Sequence, residues 1–423
     1  MKTKPTFIFV CLAAGISIAA QAGQSSVPGQ LSSATATSTS LSASKLVSIR
    51  EAFEAAWQRA VQRGEVEGLV SRSKAQQDVA SNFLAGPPSL ELAQRTDRWH
   101  DARGSRENGV GVVMPIWLPG QRGARIASAE IGLRVSDAAV ASARLRLAGD
   151  VREAAWIISA QNAEFGIAED QAAYLKQLAT DVLRRVDAGD LARSDWLAAE
   201  ADLLAASAAV LDARLRLQLA MSRWKLLTGL DTPPDASEGS PGVGKKMDPH
   251  PESALASLAQ DRAKRQVDLA ATAKWDSPEL ALKFREDIPA TGIPAKRSVG
   301  ISLRIPLGAS ERGVTQLAEA QASRTVAELH LLREQDRLRE AVLNATLAVE
   351  MAQRSLAAEQ LRASRLTERA SLIEKSFTLG ESPLTDLLRA RSAAAQALGG
   401  RAKQEAAAGL ASARLKQANG ELP

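Results

Sequence analysis

GVGVVMPIWLPGQRGARIASAE, residues 109–130, alternates apolar and small residues up to Met114, breaks at Pro115 and Pro119, and continues as Ala- and Arg-containing sequence. Strict alternation is the period of a strand with two unlike faces, whereas an Ala-rich run without breakers favours helix. The segment therefore predicts a strand that hands directly to a helix. VGISLRIPLGASERGVTQLAEAQ, residues 299–321, does the same. Gly109 and Gly300, Pro115 and Pro306, Ala127 and Ala318, and Ala129 and Ala320 all stand 191 positions apart. So do Gly189 and Gly380, Asp195 and Asp386, Leu197 and Leu388, and Ala199 and Ala390. An offset that keeps both Pro and Gly in register identifies a duplicated unit.

Outward from this seam the order is regular. Helical periodicity starts near Leu46, with Ile49, Ala52, Phe53 and Trp57 on one stripe, and runs to Phe83 before Gly86-Pro87-Pro88 stops it. Residues 90–96 alternate weakly, 99–108 form a polar loop, and 109–117 form the second strand. From Gln121 to Val186 only single glycines interrupt, which predicts a helix of roughly 65 residues and about 100 Å. Asp187-Ala188-Gly189-Asp190 turns the chain, and 192–227 returns. The second copy repeats this as helix 254–274, alternation 278–286, loop 288–296, strand 299–307, helix 313–377, a turn at Leu379-Gly380-Glu381, and helix 384–417. The boundaries expected are a signal peptide at 1–22, a flexible leader at 23–44 and a first repeat at 45–230. A linker at 231–252, a second repeat at 253–418 and a tail at 419–423 complete the chain.

Lys2 and Lys4, an apolar run from Phe7 to Ala20, and Ala20-Gln21-Ala22 have the form of a secretory signal. Its removal lowers the net charge of +5 by two lysines. With acids and bases interspersed, that balance argues against nucleic acid as a partner. The lone Cys11 lies inside the signal, preceded by Phe9-Val10 rather than the small residues of a lipidation site. The mature chain is therefore expected to hold neither disulfide nor thiolate chemistry. No mature segment supplies the ~20 apolar residues of a spanning helix, so membrane residence would require a β-barrel.

Four short strands cannot close a barrel, and a long hairpin cannot bury its own stripe, so closure needs several chains. Val299, Ile301, Leu303 and Ile305 face one way, against Gly300, Ser302 and Arg304; Leu282 and Phe284 alternate with Lys283 and Arg285 in the same sense. Lipid on one side and water on the other demand this pattern. An ordinary half-buried sheet shows it too. Pro115 and Pro306 lack a ladder donor and have a φ suited to a helix start, so both are expected at the strand–helix junction.

MPIWLPGQRGARIASAE and RIPLGASERGVTQLAEA, with the hairpin tips VDAGDLARSDWLAAE and FTLGESPLTDLLRAR, resemble the TolC-like outer-membrane factors of efflux and type I secretion. The resemblance covers residues 46–415. It implies a mainly α fold with a small β part, in which three chains form an outer-membrane β-barrel and a periplasmic α-helical tunnel. It also implies a periplasmic adaptor, an inner-membrane proton-driven pump and outer-membrane lipid as partners. PIWLPGQR looks most like the heavy-metal, cobalt–zinc–cadmium branch. By the same resemblance Gly189, Asp190, Leu191, Gly380, Glu381 and Ser382 form the periplasmic tip turns that meet the adaptor. Pro115, Pro119, Gly120 and Pro306 mark the barrel–tunnel junction. The family often carries two aspartates three residues apart in the second tip; here Asp386 matches the first and Arg389 stands at the second. Asp195, Asp386 and Arg389 are thus a candidate constriction, with an acidic ring or an Asp386–Arg389 ion-pair network both open. Asp195 and Asp386 fit equally well as first-turn acids favoured by the helix dipole.

Catalytic chemistry has little to work with: there is no Gly-rich phosphate loop and no metal-spaced His pair among His100, His250 and His330. No enzyme activity, cofactor or resident metal is expected. Trp57, Trp117, Trp156, Trp196, Trp224 and Trp275 read as packing residues, with Trp99 and Trp117 also placed for an interfacial girdle. Three other functions compete with a heavy-metal duct: a multidrug or protein-secretion duct, a periplasmic coiled-coil scaffold without a pore, and the adaptor itself. The adaptor should carry one hairpin inside a lipoyl-like domain, not two equal hairpins.

Overall fold

The computed structural model describes residues 46–97, 104–238, 250–273, 275–290, 292–307 and 311–423. The signal and leader, Trp99, His100 and Cys11 lie outside them. The elements run β1 (Val47–Ser48), α1 (Ile49–Arg59), α2 (Val61–Ser81), β2 (Ser89–Thr96), β3 (Arg106–Pro115), α3 (Gln121–Asp187) and α4 (Arg193–Thr228) in the first half. The second half holds β4 (Pro234–Asp235), α5 (Pro251–Thr272), β5 (Glu279–Ile288), β6 (Lys296–Arg304), α6 (Glu311–Thr378) and α7 (Leu384–Ala418). The two long helices have 67 and 68 residues. Their tips repeat bond for bond at the sequence offset. Gly189 N–H donates to Val186 O and Asp190 N–H to Arg185 O; Gly380 N–H donates to Phe377 O and Glu381 N–H to Ser376 O.

Sequence and structure differ in three places. The expected continuous helix from Leu46 to Phe83 breaks at Ala60, whose ψ of 130° is extended. Before the break the buried stripe is Ile49, Ala52, Phe53, Ala56 and Trp57; after it the buried positions are Val66, Ser73 and Ala80, seven apart. A helix former sits at the break, so no local signal marks it. The linker is not free chain where described: β4 pairs in parallel with β1, and Glu238 reaches a buried arginine of α3. The strands are also shifted. β3 starts at Arg106 because Glu107 pairs with Arg95 and Asp287 in the ladder, and it ends at Pro115 rather than Trp117. β6 ends at Arg304, two residues before Pro306.

β2, β3, β5 and β6 form one antiparallel sheet in that order, with β3 of the first half hydrogen-bonded to β5 of the second. The register sorts the alternation onto two faces. Leu92, Val110, Phe284 and Val299 share one row, Leu90, Val112, Leu282 and Ile301 the next. The opposite face carries Lys283–Glu91 and Arg285–Glu107 ion pairs, both at 2.7 Å. Gly111 lies between Lys283 and Glu91; a Cβ there would meet Lys283 Cγ at 3.0 Å. Its missing side chain lets Lys283 cross β3 to reach β2.

The helical core has two centres. Phe53 and Trp57 of α1 pack with Ala148, Val151 and Ala155 of α3 and with Trp224 of α4, which is fully buried and donates to Thr232 O at 3.1 Å. Near the tips, Leu178 and Val182 pack with Phe377 and Leu387, joining the two hairpins. Beside the first centre Gly409 of α7 lies under the Trp156 ring, and an added Cβ would fall 2.1 Å from Trp156 Cη2. Overpacking of this kind costs about 1–3 kcal/mol. Gly409→Ala is therefore expected to lower the denaturation midpoint, and Gly399→Ala, where a Cβ meets nothing within 4 Å, to leave it unchanged or slightly raised. Equal midpoints for both variants would refute the contact.

Candidate functional site

Two regions hold the residues singled out in the sequence: the strand–helix seam and the hairpin tips. At the seam, Pro115 closes the β3 ladder opposite Glu279 and its carbonyl accepts from Ala85 N–H at 3.0 Å. The helix does not start there. Leu118-Pro119-Gly120-Gln121 forms a turn in which Gln121 N–H donates to Leu118 O at 3.1 Å and Gly120 has φ 80°, ψ −20°. Proline then glycine at the centre, with that second-residue geometry, is a type II turn. The proline that shapes the helix start is thus Pro119, and Pro115 only ends the strand. Pro306 follows β6 in the same sense, ahead of α6. A side chain at Gly120 would be held in the left-handed region, so Gly120→Ala is expected to cost about 1 kcal/mol, read as a lowered thermal midpoint. Gly123→Ala, in ordinary helix with open space around it, should not lower it.

The seam is braced from α2. Trp117 Nε1 donates to Asn82 O at 3.2 Å, and Arg122 donates to Ser81 O at 2.9 Å. The Arg125 guanidinium lies 5.4 Å from the Trp117 ring centroid. Trp117 therefore packs at the seam. Trp57 and Trp224 are core residues, as their spacing predicts, while Trp275 is exposed.

At the tips Gly189 and Gly380 take φ of 87° and 81°, which the helix-ending turn requires. Asp190 and Glu381 are exposed, and Leu191 and Ser382 half-buried. Ser382 hydroxyl bonds Ser376 hydroxyl at 2.7 Å. Asp195 accepts from Ala192 N–H at 3.3 Å, so it caps its own helix. Asp386, on the first turn of α7, and Arg389, on the second, are both exposed, and among the described residues no ion pair joins them within the chain.

One tip feature has no counterpart in the sequence reading. Tyr174 of α3 donates to Glu374 of α6 at 2.8 Å, Glu374 pairs with Arg391 of α7, and the Arg391 guanidinium lies 3.9 Å from the Tyr174 ring centroid. Burial, then the Glu374 carboxylate, push the Tyr174 hydroxyl up to about 12, so it stays a donor. Glu374 and Arg391 stand at equal distances on either side of the Ser382-Pro383 turn, which is the one sequence clue that they meet. His250 serves as a cap: its Nδ1 accepts from Glu252 N–H at 3.2 Å at the start of α5, and burial keeps the ring below the ordinary histidine range. Among the described residues no cluster of three or more His, Cys, Asp or Glu is placed to hold a metal ion.

Residues 66–230, from α2 through α4, match the family model of the outer membrane efflux protein. None of the curated proteins matches the chain in sequence. Among solved structures, CusC, studied for folding and transmembrane channel formation, superposes with TM-score 0.73 at 14% identity over 88% of this chain and 92% of its own. The CmeC outer membrane channel of Campylobacter jejuni gives 0.69 at 13% identity over 88% and 85%. The outer membrane protein VceC of Vibrio cholerae gives 0.70 at 14% identity over 88% and 96%. The chain has the fold of these outer-membrane channels: mainly helical, with a small four-stranded sheet.

Proposed function

We propose that the chain is an outer membrane efflux protein: the passive exit duct of a tripartite system, assembled from three copies and located in the outer membrane of a Gram-negative cell. The observation that carries this reading is the bare sheet. Leu92 and Ile301 are 71% and 77% exposed on its apolar face, and among the described residues no helix packs on either face. A half-buried sheet of a soluble protein is covered by its own chain; this one is left for lipid. Among the described residues its two edges, β2 and β6, have no further strand beside them, which suits closure by neighbouring copies. The α4 and α6 leucines support the same assembly, with Leu204, Leu211, Leu343 and Leu361 at least 60% exposed.

In this assembly the six tip residues 189–191 and 380–382 meet a periplasmic adaptor, and a proton-driven inner-membrane pump supplies the work. Asp386 and Arg389, exposed beside the tips, line the constriction, while Asp195 contributes through its cap. Divalent heavy metals are the proposed cargo, on the strength of PIWLPGQR; they are conducted rather than stored. The alternative cargo, dyes and other organic toxicants, fits the same geometry. A deletion strain tested on zinc, cobalt, nickel and cadmium beside dyes and detergents separates the two. Sensitivity to the metals is expected; sensitivity to organic toxicants alone would sink the metal assignment. Carbonate extraction tests the duct itself, since a pore-free scaffold would be released and a barrel retained.

A further inference from the structure

A pocket of about 480 Å³ lies between α2, α3 and α5, at the ends of those helices nearest the sheet. Three arginines line it, Arg72, Arg125 and Arg262, one from each helix, and no acidic side chain does. Among the described residues no carboxylate stands within ion-pair distance of any of the three. That sets them apart from the sheet arginines, where Arg285, Arg297 and Arg304 each hold a glutamate. Neutral donors complete the lining in Gln76, Ser128 and Gln266.

Arg72 is exposed and Arg125 and Arg262 are half-buried, so water screens the three cations, but their convergence on one pocket without a carboxylate favours an anion in that space. The guanidinium fork suits one kind best, an oxyanion that accepts paired N–H bonds. Arg125 is also pre-oriented, because its guanidinium is stacked over Trp117, itself tied to Asn82 O. We infer that this pocket binds an oxyanion of the phosphate class. Two sources share that chemistry: the phosphodiester of a lipid headgroup, at the depth where helices give way to sheet, and free phosphate. The pocket belongs to the helices of one chain and free phosphate needs nothing more, whereas the lipid source rests on the outer-membrane reading.

The test titrates inorganic phosphate into the full chain in detergent micelles, with chloride at equal ionic strength as reference, and follows the ³¹P line width and the thermal midpoint. Phosphate is expected to broaden and to raise the midpoint where chloride does not. Arg125→Gln and Arg262→Gln should each weaken binding at least tenfold, and Arg265→Gln, an exposed α5 arginine paired with Asp268, should not. Nanodiscs of phosphatidylethanolamine with rising phosphatidylglycerol separate the sources. Displacement of phosphate by phosphatidylglycerol identifies the lipid headgroup; undiminished phosphate binding identifies the free ion. No difference between phosphate and chloride with the unaltered chain overturns the site, whatever the variants do. Binding unaltered in both Arg→Gln variants overturns it too.

Discussion

Arg152→Met is expected to lower stability by about 3–5 kcal/mol, the range for removing one partner of a buried charged network. Arg152 of α3 is 2% exposed. Its Nε donates to Glu238 at 2.7 Å, and its Nη1 to Gln417 Oε1 and Glu421 O, both at 2.9 Å. One guanidinium thus ties the segment after α4, the end of α7 and the tail to the middle of the long helix. Without it, Glu238 is left with Lys416, at 3.3 Å, among the described residues, and stays largely out of water. Arg152→Lys should fall between, because a single ammonium cannot present the fork that spans three acceptors. Arg152→Met with Glu238→Met should recover part of the loss, since the stranded carboxylate is gone. The readout is the denaturation midpoint of the helical signal at matched protein concentration. A shift worth less than about 1 kcal/mol for Arg152→Met, the size of a surface pair, would show the network to be incidental.

That network also marks where the sequence stops being readable. The duplicated plan was legible because it is written in local signals: Gly at the two tips, Pro after the two strands, and period-2 against period-3.6 patterning between them. Those signals are set by backbone geometry, and they carried the helix lengths to within a few residues. The Ala60 break, the β1–β4 pairing and the Arg152 cluster are set by tertiary contacts between residues up to 269 positions apart. Nothing in the composition of residues 231–238 distinguishes a pinned segment from a free one. The candidate site divides the same way. The tip glycines follow from sequence, whereas the helix start falls at the Pro119-Gly120 turn rather than at Pro115, and the Tyr174–Glu374–Arg391 latch requires two hairpins to be laid side by side. The turn also changes what PIWLPGQR means: part of that phrase is demanded by the geometry of the seam, so only the rest of it bears on cargo.

The sheet offers the sharpest contrast between two neighbouring positions. Ile301→Arg places a guanidinium in the middle of the apolar rows, beside Leu282 and between the Val299 and Leu303 rows. On the lipid face of a barrel, arginine near the midplane costs about 2–4 kcal/mol. The adjacent Ser302→Arg points to the other face, which already carries Lys283 and Arg285, and should cost far less. Both side chains are exposed in the single chain, so a soluble scaffold would accept either substitution equally. The measurement is the share of full-length protein recovered as heat-modifiable assembled oligomer in the outer-membrane fraction. Loss confined to Ile301→Arg is the expected result. Equal recovery of the two variants would mean that no lipid meets this face, and the barrel would have to be given up even though the helices were right.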